Sequence, residues 1–252
     1  MPGAVAVRWF LADMLGRIPD AWLARAEAAS GFVCKHFFTG FLWGAGFAAG
    51  ALAVLLFTLV AARAETIPAN ALRHRAELTR CGRYAFGLAA PVATLAAQVH
   101  QESRWRENAV SPVGARGLAQ FMPSTSKWIA GLVPELAAND PFNPGWALRA
   151  LATYDKWLWD RVTARDGCQR MAMALSGYNG GLGWVQRDKA LAGRNGADTR
   201  VWFDQVERYN AGRATAAWKE NRGYPRRILG TLESLYIRAG WGQGVCHVTA
   251  AQ

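Results

Sequence analysis

Apolar positions along most of this chain recur at helical rather than alternating spacing, which predicts a mostly helical protein. In LAAQVHQESRW, Leu95, Val99 and Glu102 fall at i, i+4 and i+7, one face of a helix expected over 91–102 and opened by Pro91. Pro123-Ser124-Thr125 opens the next helix. The turn cluster Asp140-Pro141-Phe142-Asn143-Pro144 precedes a long helix predicted over 145–164, in which Leu148, Leu151, Tyr154 and Leu158 repeat. Met171, Ala174, Leu175 and Tyr178 share a face over 168–178, and Gly180, Gly181 and Gly183 are expected to break that helix. The polar, Gly-containing stretch 189–200 reads as a loop, and a final helix is predicted over about 213–238. The pattern allows at most a small β-hairpin, near 106–117.

The longest apolar run comes earlier. Residues Phe37 to Ala62 carry no charge and are long enough to cross a hydrocarbon core of about 30 Å. Arg8, Arg17, Arg25 and Lys35 precede the run, so the positive-inside rule keeps residues 1–36 in the cytoplasm and exports the chain beyond the run. Two fates fit. The length of the run suits a retained anchor facing the periplasm. Ala62-Arg63-Ala64 suits cleavage near Ala64, giving a periplasmic or secreted protein. Residues 65–252 then form one exported domain with its core at about 78–238.

Composition narrows the partners. With 29 Lys+Arg against 18 Asp+Glu the net charge is +11, which suits an acidic polymer or an anionic surface. The basic residues are scattered, as on a solvated face, and no nucleic acid is expected as a partner. Twelve Trp are available for core filling, and one or two could stack on sugar rings. Cys81, Cys168 and Cys246 lie in the exported part, where a disulfide is permitted and one thiol must be left over or pair between molecules.

An acid that continues an apolar stripe is either desolvated or partnered, and desolvation raises its pKa into the range a general acid needs. Competing chemistries lack their parts. His100-Gln101-Glu102 has no Pro-Cys-x-x-Cys partner for a zinc deaminase, and the four His form no metal-ligand set. No GxSxG elbow occurs. A protonated Glu in an apolar pocket suits glycoside cleavage, where the acid protonates the leaving oxygen. Glu107 and Asp140 are available as second carboxylates, but neither context singles one out.

HQESRW, GARGLAQFMPST and ALSGYNGG, followed by the Tyr of ENRGYPRRIL, resemble in order the four motifs of the soluble lytic transglycosylase (SLT) family. The resemblance spans roughly Pro91 to Tyr236 and implies a lysozyme-like helical domain that needs no metal or cofactor. It implies that Glu102 is the sole catalytic acid/base. That residue would protonate the β-1,4 glycosidic oxygen between N-acetylmuramic acid and N-acetylglucosamine in peptidoglycan strands. It would then take a proton from the muramic C6 hydroxyl as a 1,6-anhydro end closes. Ser103 would hydrogen-bond near the acid, and Gln120 and Met122 would face the sugar groove. Tyr178 and Asn179 would stand opposite the acid and orient the ring, while Tyr224 would hydrogen-bond to Glu102. Ala119, where the family commonly has Met, and Gly145-Trp146-Ala147, where it has an Asn-Ile pair, depart from the pattern.

An export segment joined to a short single domain also resembles phage or prophage wall-degrading enzymes. The rivals are a hydrolytic muramidase on the same scaffold, like goose-type lysozymes, and a non-catalytic membrane-anchored glycan-binding or virion protein.

Overall fold

A computed structural model describes residues 65–246. The expected tail 1–36, the apolar run 37–62 and the cleavage pattern at Ala64 lie outside the described residues. Within them, no helix is long and apolar enough to cross a membrane.

Eight α-helices make up the described domain: α1 (Arg75–Phe86), α2 (Val92–Ser103), α3 (Pro123–Ala130), α4 (Pro144–Asp160), α5 (Gly167–Gly180), α6 (Leu182–Arg194), α7 (Thr215–Arg227) and α8 (Glu233–Arg238). A π-helical turn, Ile228–Leu232, joins α7 to α8. α2 runs through the middle. Every residue from Val92 to His100 is buried, so this helix is enclosed on all sides rather than on one stripe. α1 and α8 pack against it, α4 and α5 pack together, and α5 lies on both α6 and α7. Only the last turn of α2 emerges, at Gln101 and Glu102.

Several expectations need correction. The stretch 189–200 is not simply a loop, because α6 continues to Arg194. Val185, Asp188 and Ala192 form its buried face at i, i+3 and i+7, and that face outweighs the helix-weakening glycines. The break after α5 occurs at Gly181 alone (φ +93°), while Gly183 lies inside α6. The long helix ends at Asp160 rather than 164, and the final helix is interrupted by the π turn after Pro225. Proline cannot donate to the carbonyl four residues back, which weakens the α register at that point. The hairpin near 106–117 reduces to isolated bridges, Val110 with Arg116 and Arg116 with Phe121.

Cys168 and Cys246 form a disulfide that ties the C-terminal end of the domain to the start of α5. Cys81 is the leftover thiol; it is buried, and burial pushes it up to about 12. Among the described tryptophans, Trp105, Trp146, Trp202 and Trp241 are buried and fill core, whereas Trp128 is exposed.

Candidate active site

The site is built where α2 ends. Arg104 (φ 52°) and Trp105 (φ 62°) both adopt the left-handed conformation, which costs an L-residue about 1–2 kcal/mol. Two such residues in a row persist only when their surroundings hold them. Trp105 supplies the hold: it is fully buried, its indole donates to Tyr236 Oη at 2.6 Å, and its ring stacks on His74. The turn stops α2 one residue after Glu102.

Glu102 therefore sits in the last turn of a helix, at the negative end of the backbone dipole, where an acid prefers to be neutral. Its carboxyl lies deep among protein atoms although part of the side chain still meets solvent. Burial pushes the carboxyl up from 4.5 to about 8; a hydrogen bond from Tyr224 opposes this, and the charge of Glu220 adds to it. The Tyr224 hydroxyl donates to Glu102 Oε1. Burial also raises the Tyr178 and Tyr224 phenols well above their ordinary range, so both remain protonated donors.

The GARGLAQF segment packs beside this acid. Gly117 (φ +73°) makes the close turn, and a Cβ there would lie 1.8 Å from the Pro141 carbonyl oxygen, so only glycine fits. Gln120, itself left-handed at φ 49°, donates from Nε2 to the carbonyls of Gly117 (2.8 Å) and Ala109 (3.2 Å). Its amide is thus spent on holding the loop. Met122 precedes α3 and is exposed. The Tyr178 hydroxyl reaches across from α5 to the Ala119 carbonyl at 2.7 Å, and its ring packs on Phe121 and Tyr154.

α5 and α7 are stitched together next to Tyr224. Asn221 Nδ2 donates to Asn179 Oδ1 (3.0 Å) and to the Ser176 carbonyl (2.9 Å), and Ser176 Oγ donates back to Asn221 Oδ1 at 2.8 Å. Gly180 leaves room for this, since a Cβ there would stand 2.7 Å from Asn221 Nδ2. Asn179 is held by a side chain rather than serving as a helix cap, which Gly181 provides.

Glu102, Tyr178 and Tyr224 are thus brought together, and Asn179 is tied in through Asn221. Ser103 is different: it is buried, and its hydroxyl donates to the Val99 carbonyl at 3.4 Å rather than to the acid. Glu107 and Asp140 are also elsewhere. Glu107 pairs with Arg73 and His74, and Asp140 accepts from the Phe142 amide. The carboxylate whose charge Glu102 feels is Glu220, while the charge of Glu102 itself acts on Asp155. Both escaped the sequence reading. Asp155 nevertheless left a signal, because it falls at i+7 from Leu148 and i+4 from Leu151 on the apolar stripe.

Comparison with known proteins places this region among known sequences. Residues 87–201 match the family model described as Transglycosylase SLT domain. Over 114 residues the chain is 35% identical to membrane-bound lytic murein transglycosylase F of Maricaulis maris, covering 45% of this chain and 24% of that protein. Its counterpart in Marinobacter nauticus is 36% identical over 114 residues, 45% of this chain and 21% of the relative. The chain therefore spans only about a quarter of the length of these curated relatives. The crystal structure of an inactive mutant of lytic transglycosylase Slt from Pseudomonas aeruginosa superposes with a TM-score of 0.50 at 23% identity, covering 70% of this chain and 25% of that one, a likeness of fold. Glu102, Gln120, Met122, Tyr178 and Asn179 lie inside the matched region, and Tyr224 lies beyond it. Over residues 87–201 this chain is thus similar to the transglycosylase SLT domain.

Proposed function

We propose that this chain cleaves the β-1,4 bond between N-acetylmuramic acid and N-acetylglucosamine in peptidoglycan without water, leaving 1,6-anhydro-muramic ends. The observation that carries this reading is a carboxyl held at about 8 at the half-open end of a buried helix, with a neutral phenol as its partner. Such a group is protonated at neutral pH and can give its proton to a leaving oxygen. Tyr224 occupies Oε1, which leaves Oε2 to carry the proton. After the bond breaks, the same carboxylate takes the proton of the muramic C6 hydroxyl as that oxygen closes on C1. The proton count balances: one leaves Glu102 for the glycosidic oxygen, and one returns from the substrate.

Gln120, Met122, Tyr178 and Asn179 line the glycan side of the acid in this reading. Ser103, turned towards Val99, steadies the helix end behind it. The basic balance of the chain suits a polymer bearing peptide and lactyl carboxylates. The apolar run 37–62 serves as a membrane anchor or an export signal, so that residues 65–252 act on the periplasmic side; the relatives' name, membrane-bound, supports that placement.

Mass spectrometry of muropeptides released by the full chain and by Glu102→Gln tests the reading. Anhydro-muramic products from the parent alone are expected. Reducing ends would make the enzyme a hydrolase, and equal wall clearance by the variant would remove the catalytic role altogether.

A further inference from the structure

The helices that meet beneath the acid carry a second ionisable group that the proposed chemistry leaves unused. Asp155 on α4 and Gln98 on α2 are both completely buried. They face each other, with Gln98 Nε2 donating to Asp155 Oδ1 at 3.1 Å. The other atoms of the same two groups, Gln98 Oε1 and Asp155 Oδ2, are buried and have no hydrogen-bond partner. Two acceptors in that state lose their water and gain nothing. A single proton corrects both. Placed on Oδ2, it lets the acid donate to Oε1 and closes a ring of two hydrogen bonds. Turning the amide over changes nothing, because its oxygen then needs the same proton from Oδ1.

The pair lies close to the chemistry. Gln98 and Glu102 are i and i+4 on α2, so the pair sits one helical turn from the acid. A charge on Asp155 would act on Glu102, on Tyr154 of its own helix, on Tyr178 of α5 and on Tyr224 of α7. Burial holds the Asp155 carboxyl well above the usual carboxylate range; the Gln98 hydrogen bond opposes this, and the charge of Glu102 adds to it.

We propose that Asp155 is a positioning residue for Glu102: it remains a neutral carboxylic acid, donates its proton to Gln98 Oε1, and fixes the turn of α2 below the catalytic acid without placing a second negative charge there. This rests on the reading of Glu102 as the acid.

The test uses the full chain and three variants, Asp155→Asn, Asp155→Ala and Glu102→Gln. Infrared spectra at neutral pH should show the C=O stretch of a protonated carboxylic acid that shifts with isotope-labelled aspartate. The band should persist in Glu102→Gln and vanish in Asp155→Asn. On peptidoglycan, Asp155→Asn can complete the same ring and should keep the parent's kcat and the alkaline limb of its pH profile. Asp155→Ala leaves Gln98 unpaired and should lower kcat on the order of tenfold with KM little changed. A missing label-sensitive band, or an alkaline limb moved down by about one unit or more in Asp155→Asn, would mean that Asp155 is charged and would overturn the proposal. An unchanged kcat in Asp155→Ala would remove the positioning role. If the parent leaves peptidoglycan intact, the glycan-cleaving reading fails instead, and the infrared band still decides where the proton is.

Discussion

Helix α7 treats two of the buried or half-buried acids it meets, Glu102 and Asp188, in opposite ways. Tyr224 gives Glu102 a neutral phenol. Two residues earlier, Arg222 gives Asp188 of α6 a guanidinium at 2.7 Å, and Arg213 adds another at 2.8 Å. Asp188 is fully buried and ion-paired, a structural joint between α6 and α7. Glu102 is half-open and carries a proton up to about 8. A cation beside an acid favours its charged form, whereas a phenol in a dry pocket leaves desolvation in control. One helix thus makes a rivet from one acid and a proton donor from another by the choice of partner.

The contrast can be broken at its strongest point first. Glu102→Gln keeps the shape and removes the proton, so muropeptide release should fall by about 10³-fold while the circular dichroism spectrum is unchanged. Asp188→Ala should do the reverse. It leaves two buried guanidiniums without their counter-charge, which costs about 3–5 kcal/mol. That loss should lower Tm by roughly 10 °C, with activity per folded molecule retained.

A smaller effect sharpens the protonation argument. The folded-state pKa of Glu102, about 8, lies above its ordinary 4.5, so the folded protein holds this proton more tightly than the unfolded chain does. The parent's stability is then complete below about 4.5 and is lost as pH rises towards about 8. Denaturant melts should show Glu102→Gln more stable than the parent by about 2 kcal/mol near pH ~9, discounted for the solvent that reaches the side chain, and equal to it in acid. Activity should likewise decline as pH passes about 8.

The smallest effect concerns the phenol. Its hydrogen bond holds the Glu102 pKa down, so Tyr224→Phe should move the alkaline limb upward by about half a unit. Turnover should fall roughly threefold to tenfold. A downward shift would show that Tyr224 does not bond the carboxylate as the geometry indicates.

Much of this arrangement is legible along the chain, unevenly and for physical reasons. The helices around Leu95, Leu148 and Met171 announce themselves through regular apolar spacing. α1 does not: Leu78, Cys81 and Gly82 are its only buried positions in a helix otherwise rich in arginine. α6 hides behind its glycines and an Asp, although that Asp is on the buried face and paired. The same stripe logic that picks out Glu102 also applies to Asp155, yet Tyr154 beside it looked like the better core residue. In the structure Asp155 is the buried one, and Tyr154 is half-exposed.

Local sequence by itself determined that Glu102 is an acid on an apolar helix face, because helical periodicity depends only on near neighbours. It also placed the Gly-rich turn and the Tyr-Asn-Gly-Gly helix end in order along the chain. Tertiary structure alone decided what meets the acid. Tyr224 lies more than a hundred residues away, and apart from the motif resemblance nothing in its own helix distinguishes it from a core aromatic until α7 folds against α5 and α2. The same holds for Gln98 and Asp155, each an ordinary polar residue in sequence. Their single shared proton becomes necessary only when two helices exclude water from between them.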